Sequence, residues 1–282
     1  MFYGLAIFPT PDAISPAELG REAESRGFES LWVAEHTHIP ASRISPWPGG
    51  DDLPRMYYEA MDPFVALTAA ASTTSSLKLA TGICLVIQRD PIVTAKQVAS
   101  LDLVSDGRFL FGVGAGWNAE EMANHGTSDF GSRFKLMRER IEAMKAIWAD
   151  DPAEYHGDLV DFDPIWSKPK PVQKPHPPIH VGGAAPQGAR RAVRYGDGWI
   201  PIGGRGGDLI EQVKALDVEA AKIGRDPAEI EISSYGSPTD ADVLASYRDH
   251  GISRAVFGLP PAGREVVLPI LDQLAELAAK VG

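Results

Sequence analysis

Along the chain, apolar residues collect in short, nearly continuous runs that alternate with amphipathic stretches, and a run comes first. Eight runs read as strands: GLAIF from Gly4, ESLWVAE from Glu29, LKLATGICLVI from Leu77, RFLFGVG from Arg108, PPIHVGG from Pro177, DGWIPI from Asp197, EIEISS from Glu229 and SRAVFGL from Ser253. Continuous hydrophobicity is what a parallel-sheet strand shows when both of its faces are covered. Between the runs the apolar positions take a helical period. Ile92, Ala95, Ala99 and Leu103 form one stripe, Phe134, Met137, Ile141, Met144 and Trp148 a second, and Ile270, Leu271, Leu274, Leu277 and Ala278 a third. The methionine and aromatic stripe reads as core. Helix starts are equally legible. Ser15-Pro16-Ala17-Glu18 is a capping box with proline at the first helical position, and Gly27 closes that helix. Asp62-Pro63, Asp90-Pro91 and Asp226-Pro227 repeat the cap-then-proline device.

Eight strands alternating with helices over 282 residues predict the α/β class, as a (β/α)8 TIM barrel in a single domain over 1–282. A doubly wound open sheet would want a glycine-rich turn after the first strand, where Phe8-Pro9-Thr10-Pro11 stands instead. Two connections are too long to be simple loops. One is 37–61, with Pro46-Trp47-Pro48-Gly49-Gly50 and Tyr57-Tyr58. The other is 118–176, an insertion before the fifth strand that holds the Phe134–Trp148 stripe, a hairpin around His156-Gly157-Asp158 and a Pro/Lys-rich end. Both follow a strand, so both are expected as lids on the C-terminal face, where barrel sites lie.

Charge and composition narrow the partners. Lys+Arg is 27 against Asp+Glu 38, a net charge of −11, which argues against nucleic acid and anionic membrane surfaces and leaves a small-molecule substrate. No apolar run approaches the ~18 residues of a membrane span. The lone Cys84 forms no intrachain disulfide, and Met1 runs into FYGLAIF with no charged leader or cleavage site, so a cytoplasmic protein is expected. A homodimer is the default assembly.

Five groups of residues invite chemistry. Gly182-Gly183-Ala184-Ala185-Pro186 follows the fifth strand and precedes a helix bearing Arg190, Arg191 and Arg194. Converging backbone amides at such a turn make a phosphate cradle, or a tight turn and nothing more. Gly112-Val113-Gly114-Ala115-Gly116-Trp117-Asn118 strips side chains from one side of the fourth strand, for a flat ligand or for close packing. Gly82 inside Thr81-Gly82-Ile83-Cys84 suggests a bulge. Glu35-His36-Thr37-His38 ends the second strand, and its two histidines bring a metal hydrolase into view. No further ligands stand at other strand ends, so no metal is expected, and Glu35 and His36 read as polar groups at the rim of an apolar cleft. Lys168, Lys170, Lys174 and His176 form a locally basic stretch, read as a solvated face or, less favourably, as the receiver of an anionic tail.

The series ESLWVAEH, then LKLATGICLVIQRDPIVTAKQVASLDLVSDGRFLFGVGAGWNAEE, then PPIHVGGAAPQGARRAVRYGDGWIP resembles the bacterial luciferase-like monooxygenase superfamily, and within it the actinobacterial oxidoreductases that use the deazaflavin coenzyme F420. The resemblance implies the same barrel, with an insertion before the fifth strand. It implies a non-prolyl cis peptide at Gly82–Ile83, within Thr81–Cys84, pressing on the back of a tricyclic ring. Gly182, Gly183 and Ala184 would hold the cofactor phosphate, while Gly114, Ala115, Gly116 and Asn118 would line the ribityl chain and ring. Glu35 and His36 would be catalytic, with His36 passing a proton to the substrate and Glu35 setting its tautomer. Sugar-phosphate dehydrogenases of the superfamily carry Glu and Trp where this chain has Ala115 and Pro40, so reduction of an unsaturated small molecule is the expected reaction. The alternatives are an FMN-dependent monooxygenase and a non-catalytic flavin-binding barrel.

Overall fold

The computed structural model describes residues 1–50, 52–202 and 207–282; Asp51, inside the 37–61 connection, and residues 203–206 lie outside the described residues. In chain order the elements are β1 (Phe2–Ile7), α1 (Pro16–Ser25), β2 (Ser30–Val33), α2 (Met56–Glu59), α3 (Pro63–Ala71), β3 (Lys78–Thr81), β4 (Cys84–Leu85), α4 (Pro91–Val104), β5 (Phe109–Gly114), α5 (Ala119–Asn124), α6 (Arg133–Ala149), β6 (Ala153–His156) and β7 (Asp161–Ile165). There follow β8 (Ile179–Gly182), α7 (Gln187–Tyr195), β9 (Gly198–Ile200), α8 (Leu209–Ala221), β10 (Glu231–Tyr235), α9 (Ala241–Asp249), β11 (Arg254–Gly258) and α10 (Arg264–Val281).

Strands β3-β2-β1-β11-β10-β9-β8-β5 lie side by side, all parallel, and β5 pairs back onto β3 through Leu79–Phe109 and Ala80–Leu110. That pairing closes an eight-stranded barrel wrapped in helices. The third apolar run is not one strand. It breaks at Gly82–Ile83, a cis peptide, and resumes as β4, which pairs with β5 through Cys84–Val113 and Leu85–Gly114. The long insertion is α5, α6 and an antiparallel hairpin of β6 and β7, the hairpin carrying His156 and Asp161 as partners.

The cap-then-proline signals behave as written at three of four places. Ser15, Asp62 and Asp90 each accept amide hydrogens from the first turn of α1, α3 and α4. Asp226-Pro227 opens only a single 3-10 turn over 227–229, because Glu231 already begins β10. A cap signal specifies a start and carries no length.

Inside the barrel, small residues make room for large ones. A Cβ on Gly4 would stand 2.5 Å from Ser30 Oγ and 3.1 Å from Trp32 Nε1, and one on Gly198 would stand 2.3 Å from His180 Nδ1. Trp32 donates to Ser30 Oγ at 2.9 Å and meets His180 edge-on at 5.8 Å. The N-terminal end is plugged by ions. Arg254, fully buried, is held bidentately by Glu29 at 2.7 Å through both oxygens and also reaches Ser233 and Glu231. Its four hydrogen bonds, to these three residues, leave little of the guanidinium uncompensated, the condition under which a buried charge is tolerated.

The Asp102 to Arg108 segment proves to be scaffolding. Asp102 accepts from Gln173 N at 2.9 Å and Nε2 at 2.7 Å, tying the far end of the insertion to α4. Arg108 donates to the carbonyls of Ala71, Thr74 and Leu77 and locks the α3–β3 turn. Among the described residues no helix is long and apolar enough to cross a membrane.

Candidate active site

A cavity of about 480 Å³ opens at the C-terminal mouth of the barrel, within the range of small-molecule and cofactor pockets. Its walls come from the ends of β3, β5, β8, β9 and β10, with Pro48 from the 37–61 connection and Phe134 from the 118–176 insertion. Of the residues singled out from the sequence, Gly82, Ile83, Gly114, Ala115, Gly116, Gly182, Gly183 and Ala184 line it together.

The glycines divide into two kinds. A Cβ on Gly112 would fall 1.9 Å from Thr81 O, so that glycine serves the close approach of β3 and β5. A Cβ on Gly114 would fall 1.8 Å from Ile83 Cδ1, and one on Gly182 3.2 Å from Ile83 Cγ2. These two glycines therefore seat the Ile83 side chain, which lies across them and forms one wall of the cavity. Gly82 is covered on the other side by the ring of Tyr235, 2.6 Å from where its Cβ would be.

At one end of the cavity the chain turns from β8 into α7. Gly183 sits at φ 135°, a conformation a side chain would strain. Its amide donates to Ile200 O at 3.1 Å and its carbonyl accepts from Trp199 Nε1 at 2.8 Å, which holds the turn rigidly. Helix α7 presses against it, since a Cβ on Gly188 would stand 2.1 Å from Gly183 O. The amides of Ala184 and Gln187 have no partner among the described residues, while that of Ala185 is taken by Gln212 Oε1 at 3.2 Å. Two free amides at a helix N-terminus, with Arg191 beside them in the wall, suit an anion.

Three anticipated residues lie behind the wall. Thr81 donates to Gly112 O at 2.7 Å, Cys84 is fully buried, and Asn118 caps α5 by accepting from Glu121 N at 3.1 Å. Glu35 and His36 are not in the wall either. Glu35 accepts from Leu85 N and Arg89 Nε, both at 2.6 Å, and Arg89 continues to Asp62 at 2.7 Å. Glu35 thus ties the end of β2 to β4 and does not touch the His36 ring nitrogens. His36 instead gives its Nδ1 to Glu121 Oε2 at 2.7 Å, and Thr37 N donates to the other oxygen of the same carboxylate at 3.2 Å. A carboxylate only accepts, so the hydrogen sits on Nδ1, and Nε2 carries no bond among the described residues. The imidazole ring stands 5.3 Å from Tyr57 and 5.8 Å, edge-on, from Trp117, which does line the cavity. His38 is elsewhere, between Thr37 and Asn124, so the two histidines do not converge on one point.

Several lining residues were not anticipated. Tyr235 ends β10 with no hydrogen bond to its hydroxyl among the described residues, and burial raises its pKa. Its position at a strand's C-terminal end was the available signal. Phe134, read as core, is the exception in its stripe. Met137, Ile141, Met144 and Trp148 are buried, but Phe134 faces the cavity with the Arg191 guanidinium 3.4 Å above its ring. The Lys168–His176 stretch is engaged away from the cavity: Lys168 pairs with Asp151, Lys170 donates to Ile147 O and Asp150 O, and Lys174 to Pro171 O.

The chain is similar to known proteins along most of its length. The family described as luciferase-like monooxygenase matches residues 11–257. An uncharacterized protein of Mycobacterium tuberculosis is 40% identical over 279 residues, covering 98% of each chain. The F420-dependent hydroxymycolic acid dehydrogenase of the same organism is 29% identical over 212 residues, 74% of this chain and 54% of that one. Among solved structures, the monooxygenase RslO1 from Streptomyces bottropensis superposes with a TM-score of 0.78 at 20% identity, covering 99% of both chains, a likeness of fold. With the family match spanning most of its length, the chain belongs to the luciferase-like monooxygenase family.

Proposed function

We propose that this protein is an F420-dependent oxidoreductase that transfers a hydride between the deazaflavin and an unsaturated small organic substrate. The observation that carries the reading is the cavity itself: an apolar, glycine-walled slot with free main-chain amides at one end. That arrangement fits a molecule with a flat ring at one end and a phosphate at the other. A 29% identical relative described as F420-dependent supports the choice of cofactor.

The chain's own residues would act by position. Ile83, braced by Gly114 and Gly182, would press on one face of the ring, leaving the other toward Trp117 and Pro48. Ala184 and Gln187 amides with Arg191 would hold the phosphate. The bound deazaflavin supplies hydride transfer at its ring. Holding donor and acceptor carbons near contact contributes several kcal/mol, roughly 7–11 at the upper end, without a dedicated acid. Pro48 and Phe134, carried by the two long connections, would exclude water as lids. His36 would move the proton through Nε2, with Glu121 holding its Nδ1–H.

The test is a titration of F420 and of FMN against the same purified protein, followed by fluorescence. Saturable F420 binding with weak FMN binding is expected. Tight FMN binding with oxygen consumption on flavin reduction would replace this reading with the monooxygenase one.

A further inference from the structure

Past Trp117 and Pro48, at the end of the cavity away from the phosphate turn, a cluster of rings gathers around His36. The imidazole meets Trp117 edge-on at 5.8 Å and Tyr57 at 5.3 Å. Tyr57, on α2, stands in turn 5.6 Å from Trp47 and 4.9 Å from Phe8. It also lies near Tyr235 of the cavity wall, close enough that charge on one phenol disfavours charge on the other. The Pro46-Trp47-Pro48-Gly49-Gly50 segment shows how the 37–61 connection takes part. A Cβ on Gly49 would stand 2.3 Å from Trp47 Cζ2, so the glycine lets the indole fold back over its own loop. Trp47 then reaches Tyr57 while Pro48 reaches the cavity.

The charges bordering these rings are paired within the protein. Glu121 holds His36 Nδ1 and Thr37 N, and Glu120 accepts from the amides of Ile44 and Ser45. Arg89 donates through Nε to Glu35, through Nη1 to Gln97 and through Nη2 to Asp62. Arg55 pairs with Glu59, and Arg43 faces a separate pocket beside Asp52 and Tyr58. Arg191 stands with Gly183 and Ala184 at the phosphate end. A carboxylate or phosphate brought among the rings would meet the buried Glu121 and Glu35, and would lose its water without gaining a counter-ion. Two polar groups have no hydrogen bond among the described residues: His36 Nε2 and the Tyr57 hydroxyl. The cluster thus offers flat apolar surface and a single free hydroxyl donor.

We infer that the substrate of this site is an uncharged aromatic carbonyl compound, its ring packed among Trp47, Tyr57 and Trp117 and its oxygen accepting from the Tyr57 hydroxyl. The inference rests on the hydride-transfer reading of the same cavity and deepens it by naming the class of substrate. Aromatic rings favour offset and edge-on contacts with a flat guest, which an aliphatic chain of the same length does not make. Anionic substrates are rejected because the one unpaired cation of the cavity wall, Arg191, lies at its other end.

The experiment compares three probes by titration calorimetry: benzylideneacetone, cinnamate, which replaces the acetyl group by a carboxylate, and mesityl oxide, which keeps the conjugated ketone and lacks the ring. Each is titrated into the protein alone and into the protein with oxidised F420, which has no hydride to give, so binding is read without turnover. Benzylideneacetone is expected to bind about tenfold more tightly than either of the others, about 1.4 kcal/mol. A Trp47→Leu variant whose melting curve confirms folding should bring benzylideneacetone down to the level of mesityl oxide and leave F420 affinity unchanged. Cinnamate bound as tightly as benzylideneacetone would overturn the uncharged class, and mesityl oxide bound as tightly would overturn the aromatic one. Binding of none of the three would overturn both, and all these outcomes leave the F420 reading standing. The expected ranking in a protein that does not bind F420 would overturn the cofactor reading and keep the ring cluster as the site of an uncharged aromatic ligand.

Discussion

Nδ1 of His36 meets Oε2 of Glu121 at 2.7 Å across 85 positions of sequence. The pair joins the end of β2 to the first turn of the insertion, and both side chains are nearly inaccessible to solvent, at 6% and 0%. In such surroundings the carboxylate sets the tautomer, with the hydrogen on Nδ1 and Nε2 left to accept. Replacing His36 with Ala should lower kcat by about 10²–10⁴ with little change in F420 affinity. Glu121→Gln should cost less, about tenfold in kcat, because an amide no longer fixes which ring nitrogen carries the hydrogen. A kcat unmoved by both substitutions would remove His36 from proton transfer.

Ile83 and Gly114 make a second long-range pair, since a methyl on Gly114 has no space beside Ile83 Cδ1. Gly114→Ala should push Ile83 into the cavity and weaken F420 binding by about tenfold or more. Ile83→Ala in the same molecule should recover most of that loss. The check is a double-mutant cycle on the dissociation constants, where strong non-additivity is expected.

Gly183 tests the phosphate cradle. At φ 135° any side chain is strained by about 1–3 kcal/mol, so Gly183→Val should lower the melting temperature by several degrees. The turn also places the free Ala184 amide, so affinity for phosphorylated deazaflavins should fall more than affinity for the phosphate-free ring. Calorimetry and titration of both ligands measure the two effects separately.

His180 gives the protein an acid-sensitive core. Fully buried, with neither ring nitrogen hydrogen-bonded, it is lowered to a pKa of about 3 by desolvation and then by Arg254. The unfolded chain binds a proton there near pH 6.5, and the folded barrel does not. The unfolded state therefore holds more protons between these values, so stability is full above about 6.5 and declines as pH falls toward 3. Glu29 adds to the same decline lower down. Burial would raise its pKa, but its bonds to Arg254 bring it to about 2, so its contribution is lost as pH falls from about 4.5 toward 2. Urea unfolding between pH 7 and 5 should show the His180 component, and His180→Gln should flatten it.

Most of the architecture was legible because its causes are local. Buried parallel strands write themselves as apolar runs, and caps such as Ser15 and Asp90 mark helix starts within four residues. Where the reading slipped, a non-local fact had intervened. The third run reads as one strand with a bulge at Gly82, and the pairing of Cys84 and Leu85 with β5 shows that a separate short strand begins there. Phe134 keeps the period of a core stripe, yet its place at the end of that stripe leaves it against Arg191. Glu35 was the adjacent acid for His36, but neighbours along a chain point apart, and its carboxylate belongs to Leu85 and Arg89.

By itself the chain determined the class of fold, the C-terminal face as the place of the site, and the glycine turns that line it. Continuous apolar runs, the 3.6-residue helical period, proline, glycine and cap residues encode these within a few positions. Tertiary structure alone decided which groups meet: Glu121 on His36, Ile83 across Gly114 and Gly182, Tyr235 over Gly82, and Arg191 of α7 over Phe134 of α6. Those relations exist because closure through β3 and β5 sets strand mouths side by side and folds the insertion over them. No local pattern records which distant residue will arrive.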